Sequence, residues 1–449
     1  MTASRRPALA VVALWAVGLV VALSHGTLRP GAGDFVRDFY PAARQALHGY
    51  LHYKLPPYTP ADVNVFRYPP FAAVLFAPLA LFSVHTAATL WWVAAIVMVA
   101  VTALIVSRLF PAHRGVVSGV LFLGMMAFAP IGDSLRDKAD LYVLALVAGA
   151  IWATRVSVPW RLVCAGALIG VAIAIKVYPV LALIAYFVAR PPGIRWIATG
   201  CVGALIVTSA IAAAVVGLHP FHEFATLATT SSPALTATTY AFSALNIAAR
   251  LFTANPYAPG IAHLATHAVD AAFAVYALAV FVCVYVLHPQ RWALRWSVAL
   301  AVGVACSPFL EDAYLASFAL VAALLFLDGR YPRDLAVVFI GVAVCFTLVA
   351  QSGSAGTARG SDITDVISVL LAVLAATYAW RKTGAAVAAF TGGMALLVSS
   401  SLPGLSVRTP PISTVHVIEG SVLFWAVLVV LASVFMLARG SKSAIRTPQ

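Results

Sequence analysis

The chain has 449 residues, of which 62% are hydrophobic and only 10% are charged, and its mean hydropathy is +0.97. An ordinary soluble domain carries roughly 25% charged residues, so this composition excludes a soluble globular fold. The formal net charge of +13 would indicate nucleic-acid binding in a soluble protein. In a membrane protein, basic cytoplasmic turns account for much of such a charge, and no nucleic-acid partner is expected.

Apolar runs occur along the whole chain, and several approach or reach the roughly 20 residues that a helix needs to cross a bilayer. Arg5 and Arg6 precede the first run, whose far end makes a poor cleavage site, so we expect an uncleaved anchor. The predicted fold class is all-α, a polytopic membrane helix bundle with about 12 to 14 transmembrane helices. Long runs are found at residues 7–22, 86–106, 196–216 and 417–437.

Basic clusters separate these runs, and the positive-inside rule assigns the clusters to cytoplasmic turns. The first outer loop is then 25–69, and a long outer loop covers 218–262. Residues 70–83 contain Pro78 and are too few to cross, which predicts a re-entrant or interfacial helix followed by a crossing at 86–107.

We therefore expect one integral membrane domain over residues 1–449. Within it, residues 1–217 form the predicted catalytic transmembrane module, and residues 263–449 form a variable C-terminal transmembrane module. Of fifteen acidic residues, Asp328 and Asp334 fall in cytoplasmic turns and Asp270 inside a span. The remaining acidic residues fall on or near the predicted outer face, which is where the chemistry is expected.

The first outer loop carries two carboxylates, Asp34 and Asp38, at a spacing that puts them on one face of a helix. A carboxylate near basic groups at a lipid-facing site is able to accept a proton from an attacking hydroxyl. The structural alternative is that Asp34 caps an interfacial helix over 35–47 that stops at Gly49.

An ordered set of motifs resembles glycosyltransferase family 87, whose members are GT-C fold membrane enzymes that use polyprenyl-phosphate sugars. The resemblance covers residues from about 10 to 325. It departs from the family pattern at 136–140, where relatives carry a Gly-Gln-x-Asn element, and at Ala313, where many carry His. The matching motifs are Asp34-Phe35, Tyr40 with Ala42 and Ala43, Gly49, Tyr53, Tyr68-Pro69-Pro70-Phe71, Ala77-Pro78-Leu79, Ala174-Ile175-Lys176-Val177-Tyr178-Pro179, and Ser307-Pro308 with Asp312 and Tyr314.

The resemblance implies that an aspartate of the first loop is the catalytic base, with Asp34 the better match and Asp38 the rival. The implied reaction is a single in-line displacement that inverts the anomeric carbon. The leaving group is already a phosphate, so it needs positive charge rather than a proton.

Four basic residues are candidates to bind the donor phosphate: Lys176, Arg67, Arg136 and Lys138. Lys176 is the strongest, because an ammonium between two apolar runs is costly unless it faces a cavity or a counter-ion. Snorkelling of Lys176 to the interface is its alternative, and the other three are also explained as solvated loop charges.

Four further residues are candidates to bind the sugar or the acceptor: Tyr68, Glu311, Asp312 and Tyr314. Glu311 and Asp312 have almost no loop to solvate them, which favours a functional role. The histidines at positions 219, 222, 263 and 267 are interpreted as structural, and no metal ligand is predicted. No cofactor is expected, although a divalent cation remains open.

The sequence thus predicts an inverting glycosyltransferase of the plasma membrane, multi-pass, with its active site on the extracytoplasmic side. The donor would be a polyprenyl-phosphate sugar, with mannose favoured, and the acceptor an envelope glycolipid or polysaccharide. Two alternatives stay open: an arabinofuranosyltransferase of the same family, and a non-catalytic transporter or flippase of lipid-linked sugars, which would favour inverted repeats that the sequence lacks.

Overall fold

A computed structural model describes most of the chain, and every regular element among the described residues is a helix. The expected all-α fold class is therefore confirmed. The described residues are 5–24, 33–55, 65–111, 114–128, 131, 134–135, 138–230, 237, 241–255, 261–329, 373–377, 379–381, 384–399 and 425–439.

The helices follow one another closely, so that most turns are short. A π-helix, Phe35–Phe39, runs directly into α2, and two 3₁₀-helices, Ala77–Leu81 and Asp312–Ala316, adjoin α3 and α14. The α-helices are α1 Arg5–Ser24, α2 Tyr40–Leu47, α3 Pro70–Phe76, α4 Val84–Ser107, α5 Arg114–Met126, α6 Asp140–Ala153, α7 Pro159–Ile175, α8 Pro179–Val188, α9 Ile194–Val216, α10 His219–Thr229, α11 Ala244–Phe252, α12 Thr266–Leu287, α13 Trp292–Ala305, α14 Ser317–Leu327, α15 Ala385–Ser399 and α16 Trp425–Arg439.

Three of the described helices, α4, α9 and α12, are long and apolar enough to cross a bilayer. Their outward surfaces carry large apolar side chains, such as Ile206 at 63% and Leu278 at 64% exposure. Such helices face lipid, since a soluble protein rarely exposes contiguous apolar surface of this extent. The expected total of about 12 to 14 spans also depends on residues 330–372 and 400–424, which lie outside the described residues.

The break before α4 lies where the sequence predicted it. Helix α3 and the 3₁₀-helix Ala77–Leu81 form one short apolar unit, and the Ser83 hydroxyl then caps α4 by accepting a hydrogen bond from the Thr86 backbone N–H at 3.3 Å. Residues 70–81 are too few to cross a bilayer as a helix. A short helix is thus present where the sequence predicted one, and the long apolar helix that follows begins at Val84; the interfacial or re-entrant placement of the short helix stays a prediction.

Helices α7 and α9 approach each other closely through glycine. A methyl group built on Gly166 would lie 2.0 Å from the Ile197 carbonyl oxygen, and one on Gly200 would lie 1.9 Å from that of Val163. Small residues at such positions let two helix backbones pack in a membrane, where van der Waals contact replaces the hydrophobic effect as the driving force. This packing holds the middle of α7, the helix that precedes Lys176, against α9.

The chain breaks between α7 and α8 at Lys176, whose backbone is extended with φ of −150° and ψ of 126°. Pro179 then starts α8, which has 10 residues and is about 15 Å long. Lys176 therefore lies between two helices, as its position between two apolar runs indicated. The division of the chain into two modules stays a prediction.

Candidate functional site

Three segments that are distant in sequence meet at the ammonium group of Lys138. Asp34 precedes the π-helix, Lys138 lies just before α6, and Glu311 precedes the 3₁₀-helix Asp312–Ala316. The Lys138 Nζ donates one hydrogen bond to Asp34 Oδ2 and a second one, of 3.1 Å, to Glu311 Oε2. One cation thus links two of the predicted functional carboxylates, both of which lie in connections between apolar helices.

The π-helical turn determines how Asp34 is presented. Asp34 has helical backbone angles, with φ of −57° and ψ of −31°, and its side chain makes no capping hydrogen bond. The expected helix over 35–47 is present, but as a π-helix followed by α2, and Gly49 with a φ of +81° ends it. The capping alternative for Asp34 is therefore wrong, because its carboxylate turns to Lys138 instead.

Glu311 is a buried carboxylate that is held ionised. Burial acts to raise the pKa of Glu311, but the neighbouring ammonium groups, first Lys138 and then Lys176, outweigh burial and lower this pKa to about 2. The Lys138 hydrogen bond contributes in the same direction. Glu311 is therefore a fixed negative charge at any physiological pH.

Asp38 has a different environment from Asp34, although the two are one turn apart. Only 6% of Asp38 is exposed, and its Oδ1 has no hydrogen-bond partner. Burial, followed by the negative charge of Asp34, raises the pKa of Asp38 to about 7. By contrast, 21% of the Asp34 side chain remains accessible. Asp34 is therefore the more accessible of the two candidate bases.

A second ion pair lies next to this group, between Lys176 and Asp140. The Lys176 Nζ donates to Asp140 Oδ2 at 2.7 Å, and both residues are buried. The same ammonium lies 4.4 Å from the ring centroid of Tyr314 and 5.4 Å from that of Tyr68. Lys176 therefore faces inward to a counter-ion and two aromatic rings, and the snorkelling alternative is wrong.

Arg67 and Tyr68 end the first loop beside these pairs. The Arg67 guanidinium lies 4.9 Å from the Phe309 ring centroid, two residues before Glu311. The Tyr68 ring packs against Phe39 of the π-helix, with centroids 4.3 Å apart. The start and the end of the first loop are thus packed together at the same place.

Tyr314 is almost completely buried by its neighbours. It is 7% exposed, and its ring stacks on Tyr178 with centroids 4.3 Å apart. The 3₁₀-helix contains Asp312, whose side chain is outside what the structure describes, and Arg136 is outside the described residues. Sugar or acceptor binding by these residues stays a prediction.

The long loop is attached to the segment before Glu311. Ser243 caps α11 in a capping box with Asn246, and its hydroxyl donates to the Pro308 carbonyl oxygen at 2.7 Å. The backbone N–H of Phe242 donates to the Leu310 carbonyl oxygen at 2.9 Å. The amino-terminal end of α11 therefore packs against the segment that leads directly to Glu311.

Asp140 is a site residue that the sequence interpretation missed. It begins α6 and has 0% exposure. A signal for it was present, because a lysine buried between apolar runs needs a counter-ion, and an aspartate that opens an apolar helix is a natural one. Which aspartate pairs with Lys176 is a matter of tertiary packing.

The arrangement combines an accessible carboxylate with several fixed cations. The carboxylate of Asp34 is able to accept a proton, and the charges of Lys176, Lys138 and Arg67 are able to stabilise an anionic leaving group.

Outside this group, His52, His219 and Glu223 have ligand atoms that all lie within 4.8 Å of one another, a spacing that would suit a metal ion. The sequence interpretation had assigned His219 a structural role.

The sequence profile of glycosyltransferase family 87 matches residues 66–308, which is more than half of the chain. No curated protein sequence matches the chain. Two crystal structures of ArnT from Cupriavidus metallidurans are similar over 97% of the chain: the apo state, with 15% identity, 78% of ArnT covered and a TM-score of 0.47, and the complex with undecaprenyl phosphate, with 16% identity, 79% covered and a TM-score of 0.41.

Proposed function

Because the chain belongs to glycosyltransferase family 87, we propose that it transfers a sugar, with mannose favoured, from a polyprenyl-phosphate donor to an envelope glycolipid or polysaccharide, with inversion. The family membership confirms the expected class of activity, a membrane-embedded glycosyltransferase with a GT-C type fold. The donor, the sugar, the acceptor and the residue roles are the proposal. The observation that carries it is the junction at which Lys138 joins Asp34 to Glu311.

Asp34 is the proposed general base. It is the more accessible of the two first-loop aspartates, and a base must reach the hydroxyl from which it removes a proton. The hydrogen bond from Lys138 orients the carboxylate, as the partner of a catalytic base commonly does. Asp38, with its pKa raised to about 7 by burial, is the rival, since a base works best when its pKa is near the operating pH.

Lys176 and Arg67 are the proposed ligands of the donor phosphate. One Lys176 proton is used by Asp140, and an ammonium group has three to donate. The Arg67 guanidinium is planar and suited to binding two phosphate oxygens at once. Lys138 is already bonded to two carboxylates, so the contacts favour an orienting role for it over a phosphate-binding one. For Arg136, phosphate binding stays a prediction.

Glu311 is proposed to accept hydrogen bonds from sugar or acceptor hydroxyl groups, together with Asp312. Its low pKa keeps it an acceptor only. The long loop 218–262 is proposed as a lid or acceptor platform, which is supported by the docking of Ser243 on Pro308. Tyr68 and Tyr314 are proposed to border the sugar while they shield the Lys176 ammonium.

The proposed location is the plasma membrane, with the site on the extracytoplasmic side. The support is the charge pattern, in which basic turns mark the cytoplasmic side and the first loop falls on the other. The bilayer is then both the solvent of the helices and the source of the lipid-linked donor.

A donor panel tests the proposal. The full chain is reconstituted in liposomes that contain either polyprenyl-phosphate mannose or polyprenyl-phosphate arabinofuranose, each radiolabelled, with envelope lipids as acceptors. The proposal predicts labelled product from the mannose donor, and product from arabinofuranose alone would favour the alternative sugar. Movement of intact donor between leaflets, with no product from either donor, would overturn the proposal in favour of a flippase.

A further inference from the structure

A cluster of two histidines and one glutamate joins the first loop to the start of the long loop. His219 is the first residue of α10, and Glu223 follows one turn later on the same helix. His219 Nε2 lies 3.1 Å from Glu223 Oε1, and His52 Nδ1 lies 3.8 Å from the same oxygen. Two imidazoles from different segments therefore converge on one carboxylate oxygen.

Hydrogen bonds outside the cluster hold two of its members. The Tyr53 backbone N–H donates to Glu223 Oε2 at 3.0 Å, so the second carboxylate oxygen is already bonded and Oε1 is turned to the imidazoles. The backbone N–H of His52 donates to Gln45 Oε1 at 2.8 Å, which fixes the chain after the Gly49 turn. Outer contacts of this kind orient the ligands of metal sites.

We propose that His52, His219 and Glu223 bind one divalent transition-metal ion, with Zn²⁺ as the best fit. Two imidazoles and one carboxylate are a ligand set that suits zinc. Ligand atoms about 2.0–2.2 Å from a tetrahedral zinc ion are roughly 3.2–3.6 Å apart, close to the two distances measured here. Solvent supplies the fourth position, since both imidazoles are largely exposed, at 64% and 67%.

The ion would link the first loop to the start of the long loop. A chain of contacts leads from it to the candidate active site, because Tyr53 bonds Glu223 through its backbone and donates its hydroxyl to the Tyr68 carbonyl oxygen at 2.7 Å. The Tyr68 ring in turn faces Lys176. Metal binding is therefore expected to order the end of the first loop. The metal-site proposal does not depend on the proposed sugar transfer being correct.

Metal binding is tested on the full chain in nanodiscs, purified through a tag without histidine. The variants are His52→Ala, His219→Ala and the double variant, and the matched control is His222→Ala, an exposed histidine of the same helix. The measurements are zinc content by mass spectrometry, zinc affinity by competition with a fluorescent chelator, and the melting temperature with and without zinc. Calcium serves as the control ion, because it prefers oxygen ligands.

The expected result is one zinc ion per chain for the wild type and His222→Ala, with affinity reduced at least tenfold in each single variant. Zinc should raise the melting temperature of the wild type and the control but not of the double variant, and calcium should raise none. The removed side chains are exposed, so the variants should elute and melt as folded protein without zinc. Equal zinc affinity in the wild type and the double variant would overturn the proposal. A wild-type zinc content well below one ion per chain would also overturn it.

Discussion

Lys176 donates a 2.7 Å hydrogen bond to Asp140 Oδ2, and the two residues are 4% and 0% exposed. The pair joins the break between α7 and α8 to the first residue of α6. A buried charge that loses its partner is far more costly than the pair is stabilising. The pair therefore has a structural role and a proposed catalytic role, and substitutions can separate the effect on stability from the effect on activity.

Lys176→Met is expected to lower the free energy of unfolding by about 3–5 kcal/mol, because it leaves the Asp140 carboxylate buried without its partner. The double variant Lys176→Met/Asp140→Leu should recover most of that stability but not the transferase activity, since the phosphate ligand is still missing. Denaturation in mild detergent and turnover assays measure the two effects.

The matched control for this pair is Arg291→Met, which breaks an ion pair with Asp328 in which 44% of the arginine side chain is exposed. Only 8% of the Asp328 side chain is exposed, but water reaches the pair through the arginine, so the expected cost is smaller than that of Lys176→Met without being negligible. Full activity in the stable double variant would contradict the phosphate role of Lys176.

Gly200→Ala is expected to destabilise the protein by about 1–3 kcal/mol, because the added methyl would overlap the Val163 carbonyl and push α7 from α9. Gly203→Ala on the same helix is the matched control, since nothing lies within 4 Å of its added methyl. The control should match or slightly exceed wild-type stability, because alanine is a better helix former. Melting temperatures in one detergent give the comparison, and equal losses in both variants would refute the close packing.

Asp38→Asn is expected to stabilise the protein at pH 8 and to do so less as the pH falls toward 5. The folded-state pKa of Asp38 is about 7, above its ordinary value of 3.8, so the native state binds the proton more tightly than the unfolded state. Wild-type stability therefore falls as the pH rises from about 4 to about 7 and is constant above. The asparagine variant lacks this dependence.

Urea unfolding of the wild type and Asp38→Asn at pH 5, 6, 7 and 8 measures the difference. Glu311 does not interfere, because its pKa of about 2 places its titration below this range. A difference in stability on the order of 1–4 kcal/mol at pH 8 follows from the shift. A difference independent of pH would show that Asp38 stays ionised.

The features that sequence could predict are local ones. The helix stop at Gly49 and the break before the helix that begins at Val84 each follow from a few neighbouring residues, and both were expected. Hydrophobic run length and charge likewise indicate membrane helices without any tertiary information. The π-helical turn was not expected, because the same residues fit an ordinary α-helix.

Pairings between distant segments could not be predicted. Lys138 meets Asp34 from 104 residues away and Glu311 from 173, and the sequence offered Arg136 and Lys138 as equal candidates. The partner of Lys176 and the meeting of His52 with Glu223 likewise depend on how helices pack. Sequence therefore indicated which charged residues lie in the connections between apolar runs, and packing determined which of them pair.

The central claim is that Asp34 removes the proton from the acceptor hydroxyl, and single-turnover transfer by Asp34→Asn tests it most directly. The donor is the polyprenyl-phosphate sugar that the liposome panel identifies, its binding is measured separately, and Asp38→Asn is the matched variant. The account predicts a loss of about 10²–10⁴-fold in the transfer rate of Asp34→Asn, with donor affinity retained, and a much smaller loss for Asp38→Asn. A transfer rate of Asp34→Asn within threefold of the wild type would contradict it.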